Sequence, residues 1–444
     1  MNIIIRSLLT PVLLSGTFAS AAETWSSFQN GGAVSLSSSA PVQPGELKWV
    51  ADLPGYGQST AVVYGKHAYV TTVEGEHKDD CHVICLKLTN GHISWIRSSA
   101  NPSVQANTRM VSRAAPTPAV DENGLMCFFE GGRVVALTHA GEPRWTRDLV
   151  KDYGGVEVRH GLSASVEQDN DSVFIWVERS EDPYLVSLSK ATGDVEWKVD
   201  GAGATSWASP RLVPVPDGYH LVLSANGHLL GLDPDTGEQL WTLGNISGNT
   251  TQTPMPLGHG RFLIGASTGR RASSAARAPE SNGVIQIRKN DGGMWSADYV
   301  WHATRATSSF GSPIVHQGMA YFVNRRGVCY GLNAESGEEV FAIRLSGSSW
   351  ATPIALGEQI FFFGRDGKVD VLSMVNSMPS VTTWDGLPAP KESSGSTEKQ
   401  VQDQDAVRRR GPMSYGPVVY AATWCGDSFL LRRGSRLYAV ALKK

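Results

Sequence analysis

The sequence is poor in the features that usually announce a reaction. It contains no His-Glu-x-x-His and no phosphate-binding loop, so the commonest metal- and nucleotide-dependent chemistries have no local signature. Its five cysteines form neither a Cys-x-x-Cys nor an adjacent pair, which excludes haem attachment through Cys-x-x-Cys-His. One-signed charge is lacking too: the net charge is −3 with 18% charged residues, and no overall field argues for nucleic acid or a membrane surface. No apolar run is long enough to span a bilayer. No stretch holds helical periodicity over three turns, which leaves strands as the building material.

The remaining motif matches are equally thin. Asp233-Pro-Asp-Thr-Gly237 begins like a calcium loop but lacks the distal Glu. Ser187-Leu-Ser-Lys190 fits Ser-x-x-Lys, yet it falls on a strand rather than at a helix start. The histidines are scattered. No catalytic residue and no metal ligand is therefore assigned. Cys81 and Cys85 would stand roughly 13 Å apart along an extended strand, too far for a disulfide unless a turn intervenes. Cys127 and Cys329 read as small buried side chains.

What the chain does have is repetition and glycine, 47 of them. A phrase recurs about every fifty residues: a short apolar strand, a turn with Gly, then an aromatic. It runs Leu86 to Trp95, Leu188 to Trp197, Leu232 to Trp241 and Leu332 to Phe341, with looser copies ending at Trp145 and, after an insertion, Trp301. A second phrase, Ser or Thr before Pro, opens each unit, as in Ser206-Trp-Ala-Ser-Pro210, Ser309-Phe-Gly-Ser-Pro313 and Ser349-Trp-Ala-Thr-Pro353. Related openings at Gln58–Thr60, Ala115–Pro118, Gly161–Ser163, Gln252–Pro254 and Ser414–Pro417 bring the count to eight. Each is followed by three apolar runs separated by turn residues. Four short antiparallel strands repeated eight times describe an all-β, eight-bladed β-propeller. The last unit stops after its third strand, while a spare strand with an aromatic, Trp49, lies at 46–51. Pairing the two would close the ring and remove two open sheet edges.

The ends and one insert carry further expectations. Arg6, the apolar stretch Leu8–Phe18 and Ala19-Ser20-Ala21 read as an export signal over residues 1–21, giving a periplasmic or secreted protein whose single propeller spans 22–444. No cysteine adjoins the cleavage point, against a lipid anchor. Residues 388–411 are polar, charged and free of apolar period, as in a disordered loop between the last two blades.

The phrase Asp-x-x-Thr-Gly-x-x-x-Trp, best kept at Asp233, Thr236, Gly237 and Trp241, resembles the tryptophan-docking motif of the pyrroloquinoline-quinone (PQQ)-like propeller repeat family. Trp25-Ser-Ser-Phe28 followed by Gly31 and Gly32 looks like the start of its exported bacterial members. The resemblance implies that Trp49, Trp95, Trp145, Trp197, Trp241, Trp301 and Phe341 are wedges between blades. The family includes quinoprotein dehydrogenases, those like the methanol dehydrogenases using PQQ with calcium, an Asp base and an adjacent Cys pair, which this chain lacks. It also includes the propeller lipoprotein of the outer-membrane β-barrel assembly machinery, which binds protein partners without catalysis.

In a propeller the innermost strand (A) lines the channel, and the D–A and B–C connections share one rim. That places Trp207, Phe310, Trp350 and Tyr415 around a channel mouth, with Tyr56, Arg113 and His160 just upstream of their openings. Five B–C turns carry arginine: Arg133; Arg270 and Arg271; Arg325 and Arg326; Arg365; Arg432 and Arg433. Arginines among aromatics suit carboxylate, sulfate or phosphate groups. The expected protein is a monomeric, non-catalytic binding or scaffold module without a cofactor, engaging a protein partner or anionic ligand at that mouth. The competing reading is a PQQ- and calcium-dependent alcohol or sugar dehydrogenase.

Overall fold

The repeated turn explains itself chemically. In the Asp233 turn, the carboxylate accepts the backbone N–H groups of Asp235 and Thr236 at 2.8 and 3.1 Å, and the Thr236 hydroxyl accepts from Glu238 N. Asn333 and Ser336 do the same in the Asn333 turn. Such local caps fix a tight reversal between strands C and D, and its last corner needs the positive φ that Gly237 (+75°) supplies.

The structure is a computed structural model that describes residues 24–103, 107, 111–158, 160–203, 206–268, 278–375, 378–388 and 418–444. Eight antiparallel sheets follow one another along the chain. Blade 1 comprises Val62–Tyr64, His67–Glu74, Asp80–Lys87 and Ile93–Ala100 as strands A to D. Blade 6 comprises Ile314–His316, Met319–Val323, Val328–Asn333 and Glu339–Arg344, and blade 7 starts at Ile354–Leu356. The one α-helix among the described residues, Leu149–Tyr153, is a single turn after blade 2. This is an eight-bladed β-propeller. In blade 8 the strands Ala421–Trp424, Ser428–Arg433 and Arg436–Lys443 are joined on the outside by the N-terminal strand Gln43–Asp52, with Trp49 opposite Ala439.

The indoles sit where the repeat phrase puts them, and each reaches into the following blade. Trp95 donates to His139 O at 3.0 Å, Trp145 to Lys190 O at 2.9 Å, Trp197 to Pro234 O at 2.9 Å and Trp301 to Ala334 O at 2.9 Å. The turn glycine of the receiving blade lies flat under each ring, so that a Cβ on Gly141, Gly193, Gly237 or Gly337 would stand 2.6–2.8 Å from the indole. A β-bulge delivers the ring. In seven blades the C–D register slips by one residue immediately before the aromatic, and in blades 1, 2, 3, 5 and 8 the ring so re-aimed bonds to the next blade. Blade 7 has an unbroken register between Val369–Val375 and Met378–Trp384. Its neighbour, blade 8, has no C–D turn to receive a ring.

Two of these residues depart from the pattern. Trp241 donates to His220 Nδ1 at 2.9 Å rather than to a turn carbonyl. Phe341, which has no N–H to place, contributes apolar packing against Tyr321. All five cysteines are buried and none is joined in a disulfide. Cys81 and Cys85 share one strand, and burial pushes the Cys85 thiol up to about 11.

The Ser/Thr-Pro openings form a hydrogen-bonded belt around the channel. Each hydroxyl accepts the backbone N–H of its counterpart one blade earlier: Thr60 to Thr117, Thr117 to Ser165, Ser165 to Ser209, Ser209 to Thr253, Thr253 to Ser312 and Ser312 to Thr352, all at 2.9–3.3 Å. In blade 3 the belt residue is Ser165, two positions beyond the expected opening at Ser163.

Candidate binding face at the channel mouth

The N-terminal segment closes one end of the channel. Thr24–Trp25 pairs antiparallel with strand A of blade 1, and Ser35–Leu36 pairs parallel with strand A of blade 7. Between them Gln29, Asn30, Gly31 and Gly32 all have positive φ, a left-handed turn that costs about 1 kcal/mol or more per non-glycine residue. It persists because it is pinned on several sides. Gln29 donates to the belt hydroxyls of Ser312 and Thr352 at 3.0 and 2.7 Å. Arg211, on the first strand of blade 4, donates to Phe28 O and Gln29 Oε1 and pairs with Glu167 at 3.1 Å. Burial pushes the Glu167 carboxyl up, opposed by the Arg211 charge beside it.

The opposite mouth is where the B–C turns and the starts of strand A converge. Five rings and guanidinium groups follow one another there across blades 7, 8, 1 and 2. The Arg365 guanidinium lies 4.9 Å from the Trp350 ring centre, Trp350 lies 5.8 Å from Tyr420, and Tyr420 lies 6.4 Å from Tyr56 in an edge arrangement. The two tyrosine hydroxyls share a 2.8 Å hydrogen bond. The Arg113 guanidinium stacks 3.5 Å above Tyr56. Blade 6 extends the arc, with Phe310 4.7 Å from Trp350 and Arg325 5.2 Å from Phe310. Burial, with Tyr420 second, holds the Tyr56 phenol protonated.

Arg113 is built into place. Its backbone N–H donates to Gln58 Oε1 at 2.8 Å. The next residue, Ala114, has φ +44°, a strained conformation for alanine. Both Glu130 oxygens accept from Ala114 N, and Glu130 is held by the fully buried Lys78 at 3.2 Å.

The sequence-expected residues therefore separate into groups. Arg113, Phe310, Arg325, Trp350 and Arg365 join one arc. His160 and Trp207 form a pair of their own, 5.9 Å apart, with Trp207 donating to Gly161 O; Ser112 N bonds His160 O and ties that pair to the Arg113 segment. Arg326 is exposed, and its carbonyl accepts from Arg344. Tyr415, Arg270 and Arg271 lie outside the described residues, as do residues 1–21 and nearly all of 388–411. Arg432 and Arg433 are not solvated turn residues. Arg432 is buried and donates to Gly57 O and Thr71 O, with burial lowering its pKa to about 9. Arg433 donates to Pro388 O and Asp366 O. Both end strand B, just before Gly434, and their side chains point under the rim. Arg133 begins strand C and donates to Ala100 O. Tyr420 was missed because it lies five residues beyond the opening at Tyr415, in an apolar run that reads as strand.

Comparison with known families settles the lineage. Over residues 29–181 and 141–297 the sequence matches the family described as outer membrane protein assembly factor BamB, a PQQ-like propeller. The chain belongs to that family. The crystal structure of BamB from Moraxella catarrhalis has a TM-score of 0.57 at 14% identity, covering 91% of this chain and 98% of that one. The computationally designed Ika8 protein gives 0.55 at 10% identity, with 90% and 100% covered. At these identities the likeness is one of fold. A search of curated proteins found no significant match.

Proposed function

We propose that this BamB-family propeller is an exported, non-catalytic scaffold that engages a protein partner at its aromatic and arginine-bearing mouth. The observation that carries the reading is the arc from Arg325 to Arg113, in which three guanidinium groups lie over Phe310, Trp350 and Tyr56. Phe310 is exposed and Trp350 and Tyr56 are half-buried, and aromatic rings flanked by arginines are the residue types that anchor protein interfaces. The N-terminal strap supports the same reading, since it occupies the far end of the channel and leaves one face for contact. Family membership supports work on envelope proteins.

A PQQ-dependent dehydrogenase fits these residues poorly. PQQ would supply hydride-accepting redox chemistry and needs a slot for a planar, tricarboxylated ring system. Here the rings near the channel axis pack on one another, and a cavity beneath Phe310 and Trp350, lined by residues such as Ser309, Ser312, Tyr321 and Ser349, offers about 10 Å³, room for about one water.

A photo-crosslinking residue at Phe310, which is exposed, expressed in the cells that make the protein, tests the proposal. Crosslinks to an envelope protein from Phe310 and not from the exposed Met294, in the turn before the outer strand Trp295–His302, are expected. Equal labelling from both positions, or dye-linked dehydrogenase turnover after loading with PQQ and calcium, would remove it.

A further inference from the structure

Arg113 and Arg365 are the two cations of the arc whose charge is left unanswered. Arg113 exposes only 9% of its surface. Its Nε and that of Arg365 are both buried without a hydrogen-bond partner, and among the described residues no carboxylate comes within ion-pair distance of either. A buried guanidinium without a counter-ion is costly. Here a strained Ala114, a buried Glu130 and a buried Lys78 are spent on holding one in position. Both guanidinium groups lie over aromatic rings, Tyr56 and Trp350, which carry the stacked face and leave the N–H edge for a planar, two-oxygen acceptor.

We infer that Arg113 and Arg365 are paired carboxylate receptors, and that the mouth takes an extended acidic peptide segment laid across Tyr56, Tyr420 and Trp350. The inference rests on the proposed function and specifies the partner's chemistry. The ring path joining the two guanidinium groups is no longer than roughly 20 Å, which an extended peptide covers in about six residues. The matching ligand thus carries acidic side chains near both ends of a segment of at most that length, with apolar or aromatic residues between them.

The test uses the full mature chain and a fluorescein-labelled hexapeptide with Glu at positions 1 and 6, Leu and Tyr between them, and its Gln isostere. Anisotropy titrations run at low and moderate salt. The acidic peptide should bind with an affinity that falls with salt, the Gln isostere at least tenfold more weakly. Arg113→Gln and Arg365→Gln should each weaken the acidic peptide about tenfold without changing affinity for the isostere. Arg113→Lys, which keeps the charge and loses the fork, should fall between. Thermal melts run in parallel, and if Arg113→Gln fails to fold, Arg365→Gln and the salt slope carry the test. Equal binding of the two peptides, indifference to both arginine changes, or binding of a sulfated oligosaccharide or anionic vesicles in place of the peptide would overturn the inference. Absence of peptide binding while Phe310 still crosslinks to an envelope protein would overturn it and leave the proposed function standing; absence of both would remove the two together.

Discussion

The indole N–H of Trp49 donates to the carbonyl of Leu88 at 2.8 Å, and this bond between the N-terminal strand and the first blade is where the ring is locked. Gly91 lies under the same ring, 2.5 Å from it to a would-be Cβ. The seam that closes the circle is thus made like the seams inside it.

Trp49→Ala should therefore cost about 3–5 kcal/mol, the range for removing a large buried aromatic. Val50→Ala, one residue on and 42% exposed, should stay within about 0.5 kcal/mol. Urea midpoints of the two variants decide it, and comparable losses would show that Trp49 closes nothing.

The turn glycines should tolerate no side chain. Gly237→Ala places a Cβ 2.7 Å from the Trp197 ring at a φ of +75° and is expected to lose more than about 1 kcal/mol. Gly244→Ala, with open space around it, should be neutral. Thermal denaturation of the pair, with near-ultraviolet circular dichroism reporting the indole, is the measurement.

Much of this was legible in the sequence, and the reasons differ by feature. The turn phrase fixed strands C and D because its Asp, Thr and Gly act locally, through bonds that span a few residues. Eight openings counted eight blades because one opening starts each sheet. The belt was invisible, since a hydroxyl such as Ser209 finds its donor, Ser165 N, 44 residues away. Arg325 lies in its B–C turn while Arg432 still belongs to strand B, and the few residues' difference in strand length that buries one and exposes the other has no signature in the sequence. Tyr420 enters the arc through a strand-end geometry that periodicity does not encode.

His220 should make the fold acid-sensitive. Burial lowers its pKa from the ordinary value near 6.5 to about 4, and its Nδ1 accepts from Trp241. As pH falls below about 6.5, the unfolded chain takes up this proton before the folded one. Stability is thus fully present above that point and is lost as pH falls toward 4. Urea midpoints measured between pH 7 and pH 4 should drop less steeply for His220→Gln than for the unchanged protein; parallel curves would contradict the assignment.

Glu178 should act in the opposite direction. Its side chain is buried with both oxygens lacking a hydrogen-bond partner, and burial holds its pKa well above the usual carboxylate range. Its contribution is fully present below the unfolded value near 4.3 and is lost as pH rises through the folded value. Glu178→Gln should consequently raise the denaturation midpoint at pH 7–8, with the gain shrinking toward pH 4. A gain that persists at pH 4, or no gain at pH 8, would count against it.

Because the eighth sheet draws one strand from residues 43–52 and three from the final stretch of the chain, no partially delivered polypeptide can complete the circle. The first seven units can form as they emerge, but the strand 43–52 must wait without its partner until residues 436–443 arrive. A chain threaded through a translocation channel would thus finish folding only after residues 421–443 have passed.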